Sequence, residues 1–266
     1  SDYRTSPMPK DGGSNDGVPY PYGFRSMPKT IGKDILGTDK YKYISIIAIS
    51  PGGGAGGAGA GYEDKRGGTG QGGSSGVATI GEFILKDGNY VISKIDLTTG
   101  GGGVGGTGGK YGGDSHSGLA GFAGGLTTFL ITLNNKDKDN DTKQISITLS
   151  GGTYGAGGEK YPDGDGGDEK DHEPTPGSID FVDNGMPLAF NDDNILTRNL
   201  DEYQMTFKQY LGSGGQHGYD NSKGGGKGGQ IDDEIYFDIK SYKNYMYYID
   251  DDTNEKINID KLINDN

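Results

Sequence analysis

The sequence has no cysteine and no tryptophan, and it holds only three histidines among 266 residues. Without cysteine there is no disulfide framework, no thiolate nucleophile and no sulfur ligand for a metal. His116, His172 and His217 are far apart along the chain, so they form no local cluster that predicts a metal site or a catalytic base. No apolar run reaches the ~18 residues that a membrane-spanning helix needs, so no membrane insertion is expected.

Basic residues are also scarce relative to acidic ones. Lysine and arginine together number 25 against 38 aspartates and glutamates, which gives a formal net charge of −13. Binding to nucleic acid or to an anionic membrane depends on an excess of positive charge. Nucleic acid is therefore not an expected partner.

Glycine, in contrast, is abundant, with 54 residues beside 10 prolines. Collagen would need glycine at every third position of the whole chain, and this pattern is absent. Complete disorder is not expected either, because several segments are rich in β-branched and aromatic residues. These segments are 43–49, 129–133 and 245–249.

Strand-forming segments run directly into glycine four times, at intervals of roughly 50 to 60 residues. The four junctions follow residues 46–50, 94–97, 145–149 and 205–207. In the third, Ile145, Ile147 and Leu149 alternate with polar residues, as in a strand with one buried face. Residues 200–210 fit either a helix face or a strand, and their place before a glycine segment favours the strand. We also predict hairpins over 83–92, around the turn at 86–89, and over 127–149, around a charged tip at 134–143.

The glycine-rich segments have a period of three, which ordinary flexible linkers lack. Val104, Thr107 and Lys110 are separated only by glycine pairs. Three residues per turn is the period of polyproline-II geometry, in which neighbouring chains can bond laterally where only glycine lies between them. We therefore predict a polyglycine-II bundle with the side chains of this row pointing outward, and with no space for a side chain at Gly105.

A strand that ends in 51-PGGGAGG-57 and is followed by further Gly-Gly-X blocks resembles the glycine-rich domains of phage tail proteins, virus particle proteins and some cell-surface receptors. The resemblance covers roughly residues 41–230 and implies polyglycine-II legs packed beside a β-sandwich. In phage adhesins it implies that loops at the tip of the bundle touch the host. The corresponding tips here are 62–66, 110–117, 159–175 and 219–223. The candidate contact residues on them are Tyr62, Arg66, Tyr111, His116, His172 and Tyr219.

Acidic loops are the only candidate metal sites. Asp163, Asp165 and Asp168 are interleaved with glycine and are the candidate calcium ligands, since calcium takes flexible oxygen ligands. The alternative reading is a solvated loop. Asp137, Asp139 and Asp141 have the spacing that opens a calcium loop, but the glycine and the final glutamate of that motif are missing. No other cofactor is expected.

Catalytic motifs are not convincing. Residues 52–57 match a dinucleotide fingerprint formally, but glycine rather than a helix follows. His172 lies in an acidic loop rather than a cleft. We therefore expect a non-enzymatic protein.

The sequence thus predicts a mainly β fold, with an antiparallel sandwich and interleaved polyglycine-II bundle over 41–250. Residues 1–40 are expected to form an extended arm, and 251–266 a C-terminal tail; both ends are expected to contact other subunits. The leading hypothesis is a structural protein of a virus particle, on the capsid surface or in a fibre, with copies of itself or other particle subunits as partners. The alternatives are a secreted cell-surface fibre or adhesin, a phage tail-tip receptor-binding protein, and a glycan-binding module that uses tyrosines near 236–248.

Overall fold

The computed structural model describes residues 27–31, 42–62, 67–109, 116–161, 172–218, 228–231, 245–249 and 256–258. Within these residues the chain forms twelve strands and no helix. The strands are β1 Met27–Ile31, β2 Tyr43–Ile49, β3 Ala78–Leu85, β4 Tyr90–Thr99, β5 Thr127–Asn135, β6 Thr142–Leu149, β7 Ile179–Asp183, β8 Met186–Leu188, β9 Ile195–Asn199, β10 Tyr203–Tyr210, β11 Tyr245–Ile249 and β12 Lys256–Asn258.

These strands form two antiparallel sheets that pack together as a sandwich, which confirms the predicted mainly β fold. One sheet has the order β1-β4-β5-β6-β7-β8, and the other has the order β12-β11-β2-β3-β10-β9. Alternate residues of the strands face the space between the sheets, as period-two sequences require. Ile44, Phe83, Ile131, Ile147 and Phe207 are among the side chains buried there.

Residues 83–92 do not form the predicted hairpin. The turn at 86–89 exists, but β3 pairs with β2 and β10, whereas β4 pairs with β1 and β5. The chain therefore crosses from one sheet to the other, and Leu85 and Ile92 on either side of the turn are both buried in the core. The turn residues specify a reversal of direction, while the long-range pairings decide which sheet each strand joins.

Two other expectations about strands are confirmed. β5 and β6 pair directly across the charged tip as a hairpin, with Phe129 opposite Ile147. Residues 203–210 form a strand rather than a helix, with Tyr203, Met205 and Phe207 buried on one face. The alternation of burial along β10 explains why this segment is a strand, since a helix would not place these three residues on one side.

Eight described segments, most of them rich in glycine, form legs at one end of the sandwich. They are L1 (50–61), L2 (67–77), L3 (100–109), L4 (116–126), L5 (150–161), L6 (172–178), L7 (211–218) and L8 (228–231). L1 to L7 each continue a strand or lead into one, and L8 bonds to L2 and L7. The turns at 86–89, 136–141 and 184–185 lie at the opposite end, so the molecule has a glycine end and a polar turn end.

Lateral hydrogen bonds with a period of three join the legs. L1 donates to L2 through the N–H groups of Gly53, Gly56 and Gly59, and it donates to L4 through those of Gly54, Gly57 and Ala60, at 2.8–3.0 Å. L1 also accepts from L3 and L5 at every third carbonyl. A β-ladder would repeat every second residue, so this is the pattern of a threefold chain.

The hand of the legs follows from their backbone angles. Gly185, in the turn between β7 and β8, is the one described glycine with a positive φ. A right-handed threefold chain would need positive φ along its length, whereas polyproline-II geometry has φ near −75°. The legs are therefore left-handed polyglycine-II chains.

Close approach between the legs explains their composition. A Cβ atom at Gly54 would lie 2.0 Å from the carbonyl oxygen of Val104, and one at Gly56 would lie 1.9 Å from that of Ala156. Atoms cannot approach so closely, so these positions admit only glycine. Ala55 and Ala58, at the third position of each triplet in L1, are exposed, as the Gly-Gly-X pattern predicts.

The rotation of L3 about its axis differs from the expectation. Thr107 is only 5% exposed, whereas Gly105 is exposed and a Cβ there would meet no heavy atom closer than 3.6 Å. The predictions that Thr107 points outward and that Gly105 has no space were therefore wrong. The reason is that the carbonyls of Val104 and Thr107 accept hydrogen bonds from L4, which leaves the row that contains Gly105 outermost. Lys110 lies outside the described residues.

Both chain ends contribute strands to the sheets. β1, within the predicted arm, pairs with β4 at one sheet edge, with Met27 opposite Thr99. β12, within the predicted tail, pairs with β11 at the edge of the other sheet, with Ile257 opposite Tyr248. The remainder of both ends lies outside the described residues, and the expected contacts of both ends with other subunits stay a prediction.

Candidate functional site at the free end of the glycine bundle

The free end of the bundle is the end that lies farthest from the sandwich. L1 and L2 still pair near this end, through the bond from the Gly59 N–H to the Gly68 carbonyl at 2.8 Å. The connections between paired legs, at 63–66, 110–115, 162–171 and 219–227, lie outside the described residues. The described residues at the free end are those that flank 63–66 and 110–115, together with Tyr161, which precedes 162–171.

Three ring-bearing residues lie together at this end. The N–H of Ala60 donates to the carbonyl of His116 at 3.0 Å, and the carbonyl of Ala60 accepts from the N–H of Tyr161 at 2.9 Å. Tyr62 follows two residues later and is 52% exposed, and His116 is exposed as well. Two of the predicted tip residues, Tyr62 and His116, are thus brought to the end of one leg pair, and Tyr161 joins them without having been predicted.

Two charged residues adjoin these rings along the chain. Glu159 and Lys160 precede Tyr161 and are exposed, and the N–H of Lys160 donates to the Ser117 hydroxyl at 3.2 Å. Ser117 in turn follows His116. The described part of the free end therefore offers exposed aromatic rings, one carboxylate and one ammonium group, which can bind polar partners by stacking and hydrogen bonding.

His172 lies on the flank of the bundle rather than at its free end. Its ring stacks on Tyr154 with the centroids 4.1 Å apart and the planes 8° from parallel. Its Nε2 donates to the carbonyl oxygen of Tyr154 at 2.6 Å. Tyr154 precedes Tyr161 by seven positions, which is roughly 20 Å along an extended leg. The stacked pair packs L6 against L5.

Gln71, which was not among the predicted site residues, connects the legs of this flank from the inside. It is fully buried in L2; its Oε1 accepts from the Ala156 N–H at 2.9 Å, and its Nε2 donates to the His172 carbonyl at 3.3 Å. The side chain therefore bonds to L5 and L6 at once. A glutamine inside a run of glycine and serine is the signal that could have identified it.

The remaining predicted site residues, Arg66, Tyr111, Tyr219, Asp163, Asp165 and Asp168, all lie outside the described residues. Within the part of the chain that the structure describes, no group of three or more histidine, aspartate or glutamate side chains is arranged to hold a metal ion. The calcium hypothesis for Asp163, Asp165 and Asp168 therefore stays a prediction.

The charged hairpin tip between β5 and β6 lies at the turn end, away from the bundle. Asp141 Oδ2 accepts from the Tyr90 hydroxyl at 2.7 Å and from Asn135 Nδ2 at 2.9 Å. These hydrogen bonds, the one from Tyr90 first, hold the pKa of Asp141 below its usual value. The carboxylate is thus engaged in closing the hairpin.

One carboxylate is buried in the sandwich. Asp183 in β7 is 2% exposed, and it accepts from Arg198 Nε and from the Tyr203 hydroxyl. Arg198 and Tyr203 belong to the opposite sheet, so the three side chains join the two sheets across the core. Burial, together with the hydrogen bond to Asp183, raises the pKa of Tyr203. Both oxygens of the Asp183 carboxylate are thus bonded within the core, and the group offers no open position to a substrate.

The flank formed by L4 is unusually apolar. Leu119, Phe122 and Leu126 are 39%, 43% and 52% exposed, and they account for three of the seven exposed large apolar side chains in the described part. Their backbone lies between L3 on one side and L5 on the other.

No known family model, curated protein sequence or solved structure matches this chain. In the described part of the chain, no helix is long and apolar enough to cross a membrane.

Proposed function

We propose that this chain is a non-enzymatic structural protein of a virus particle, in which the glycine bundle is a stiff rod that projects loops away from the sandwich. The observation that carries the proposal is the lateral hydrogen bonding of the bundle. L1 alone bonds to L2, L3, L4 and L5, and each of these pairs repeats every third residue. Hydrogen bonds repeated along the legs make such a bundle rigid, and rigidity suits a component of a particle better than a catalyst.

The dimensions of the rod follow from its geometry. Legs of about ten residues extend roughly 30 Å from the sandwich, at about 3.1 Å per residue. The described ends of L1, L4 and L5, at Ala60, His116 and Tyr161, lie together at the end of the bundle that is farthest from the sheets. A particle component with this build keeps the sandwich at the surface and presents its loops outward.

The experiment is to detect the chain in particles. Antibodies raised against the isolated protein would be used for gold labelling and for mass spectrometry of purified particles from the source organism. We expect a constant copy number per particle, and label on the particle surface. Recovery of the chain only from cell envelopes or culture fluid, with none in particles, would contradict the proposal.

A second candidate function, attachment to a host surface or its glycans, is favoured by one observation. Tyr62 and His116 are exposed at the free end of the bundle, where Tyr161 also lies. Aromatic rings with polar groups are common in contacts with proteins and sugars. In this reading the same rod belongs to a virus or to a cell-surface fibre.

Cell binding by substituted proteins separates this candidate from a purely internal structural role. Tyr62→Ala and His116→Ala should each weaken binding of the labelled protein to host cells, if the free end is the contact. Leu211→Ala, an exposed apolar position at the sandwich end of L7, is the matched control and should bind normally. Equal binding by all three variants would exclude attachment through the free end.

A further inference from the structure

The register of the strands continues without change into the legs. In the sheet Ile49 lies opposite Ala78, and beyond it the bonds from Gly53 to Ser74 and from Gly56 to Gln71 keep the same antiparallel register. β2 and β3 therefore stay neighbours as L1 and L2. The legs inherit both their partner and their alignment from the sheet.

The same rule holds for every other pair of sheet neighbours whose legs are described. β4 and β5 continue as L3 and L4, β5 and β6 as L4 and L5, β6 and β7 as L5 and L6, and β3 and β10 as L2 and L7. In each pair one leg supplies the N–H groups and the other the carbonyls. The bonds from Phe122 to Val104 and from Thr153 to Thr175 illustrate two of these pairs.

L3 has one side on which this pattern is incomplete. The carbonyls of Gly101, Val104 and Thr107 accept from L4. In a trans peptide the N–H of the next residue points the opposite way, so the N–H groups of Gly102, Gly105 and Gly108 point away from L4. These three have no partner among the described residues, and Gly105 is exposed.

The sheet order shows what belongs on that side. β1 is the neighbour of β4 on the side away from β5, and Met27 lies opposite Thr99 at the bundle end. The chain before Met27 thus arrives beside the open side of L3. Residues 1–26 themselves lie outside the described residues.

We propose that residues 17–26 form a further polyglycine-II-like leg against L3, in the register of β1 and β4. That register pairs the N–H groups of Gly102, Gly105 and Gly108 with the carbonyls of Phe24, Pro21 and Val18 respectively. The segment supplies only acceptors to this contact. Proline fits the role because it retains its carbonyl, lacks only the N–H, and holds φ near the value of the leg.

The glycine positions of the segment support this register independently. In the described pairs, the residue before each acceptor faces the donor leg and is nearly always glycine. A Cβ at Gly73 would lie 2.2 Å from the Gly53 carbonyl, one at Gly103 would lie 2.0 Å from that of Phe122, and one at Gly215 would lie 1.9 Å from that of Gly72.

The equivalent positions of the proposed leg are Gly17, Tyr20 and Gly23. L5 carries the same order against L4, with Gly151, Tyr154 and Gly157. A central tyrosine between two glycines six positions apart is therefore already accommodated once in this bundle.

Hydrogen exchange of single glycine amides tests the proposal. The full chain and a chain lacking residues 1–26 would be compared by NMR. We expect the amides of Gly102, Gly105 and Gly108 to exchange slowly in the full chain, and roughly tenfold or more faster after the deletion. The amides of Gly54 and Gly57, which bond to L4, should be unchanged and report that the bundle remains folded. Equal exchange at the three amides in both chains would overturn the proposal.

A matched pair of substitutions tests the register. Gly23→Val should release the segment, because a side chain there would face L3, whereas Gly13→Val lies beyond the contact. Tryptic cleavage after Arg25 should accelerate in the first variant alone. Equal cleavage in both variants would contradict the register.

Measuring the amide protection at several protein concentrations shows whether the segment against L3 comes from the same chain or from a second copy. Protection of the three amides that does not change with protein concentration supports docking of the chain's own segment. Protection that disappears on dilution would mean that a second copy covers L3, and would overturn the assignment.

Discussion

The N–H of Gly56 donates to the carbonyl of Gln71 at 2.9 Å, and the side chain of Gln71 continues the same network into two further legs. Backbone groups make most of the bonds in the bundle. L6 bonds to L2 directly through the Gly177 N–H and the Ser75 carbonyl, whereas at Gln71 a side chain makes the connection between these two legs. A polar side chain can therefore be an internal structural element of a polyglycine-II bundle.

Removing this amide should destabilise the bundle. Gln71→Leu leaves the part-buried Ala156 N–H and His172 carbonyl without their partner, and each unpaired group costs about 1–3 kcal/mol. We expect the free energy of unfolding to fall by about 3 kcal/mol in urea titrations. Gln216→Leu, at an exposed position of L7, is the control and should change it by less than about 0.5 kcal/mol. Similar values for both variants would contradict the role of Gln71.

Replacing two adjacent glycines of L3 by alanine should change the stability of the protein in opposite directions. A Cβ at Gly106 would lie 1.9 Å from the Leu119 carbonyl oxygen, whereas one at Gly105 would meet nothing closer than 3.6 Å. Gly106→Ala should therefore destabilise by about 3 kcal/mol through overpacking. Gly105→Ala should stabilise by about 0.5 kcal/mol, because alanine restricts the unfolded chain. Thermal unfolding measures the stability of both variants. A loss of stability in both would contradict the rotation of L3 described above.

Two buried threonines form a second contrasting pair. The Thr107 hydroxyl is buried and makes no hydrogen bond with the described residues, whereas the Thr127 hydroxyl donates to the Ile49 carbonyl at 2.9 Å and accepts from the Gly100 N–H at 3.1 Å. Thr107→Val should raise the free energy of unfolding by about 1 kcal/mol, and Thr127→Val should lower it by about 2 kcal/mol. Chemical denaturation measures both, and a stabilising Thr127→Val would be inconsistent with the observed bonds.

Stability should decline in alkali, in part through Tyr203. Burial first, and then the hydrogen bond to Asp183, raises its pKa in the folded state above the ordinary value of 10.0. The contribution of Tyr203 to the free energy of unfolding is fully present below about pH 10. It is lost above that pH, because the unfolded chain releases a proton that the folded chain retains. Its slope is at most about 1.4 kcal/mol per pH unit. In urea titrations between pH 8 and 11, the free energy of unfolding should decline less steeply with pH for Tyr203→Phe than for the unsubstituted chain. Identical slopes would contradict a raised pKa of Tyr203 in the folded state.

Much of the local structure could be predicted from sequence, because the two repeating patterns have local causes. Alternation with a period of two marks β6, and the Gly-Gly-X period of three marks L1, where Ala55 and Ala58 are exposed as expected. Backbone geometry alone links these periods to a strand and to a threefold chain. The combination of legs with a sandwich was implied by the resemblance to glycine-rich domains, and the structure shows that the legs continue the strands at one end of the sandwich.

Other features depend on contacts between residues distant in sequence. The turn at 86–89 reads as a hairpin, yet β3 and β4 join different sheets because β10 and β5 are their pairing partners. The candidate site was predictable only in part: Tyr62 and His116 reach the free end, whereas His172 stacks on Tyr154 along the flank.

The period of three determines that a leg is threefold, but it does not determine which of its three rows faces outward. Bonding to L4 decided this for L3, by burying Thr107 and exposing Gly105. Likewise, no local pattern distinguishes Asp183 from the acidic residues on turns, since its pairing with Arg198 requires that two sheets meet. Sequence periodicity therefore established the kind of chain in each segment, and tertiary packing decided its rotation and its partners, because those depend on groups contributed by other segments.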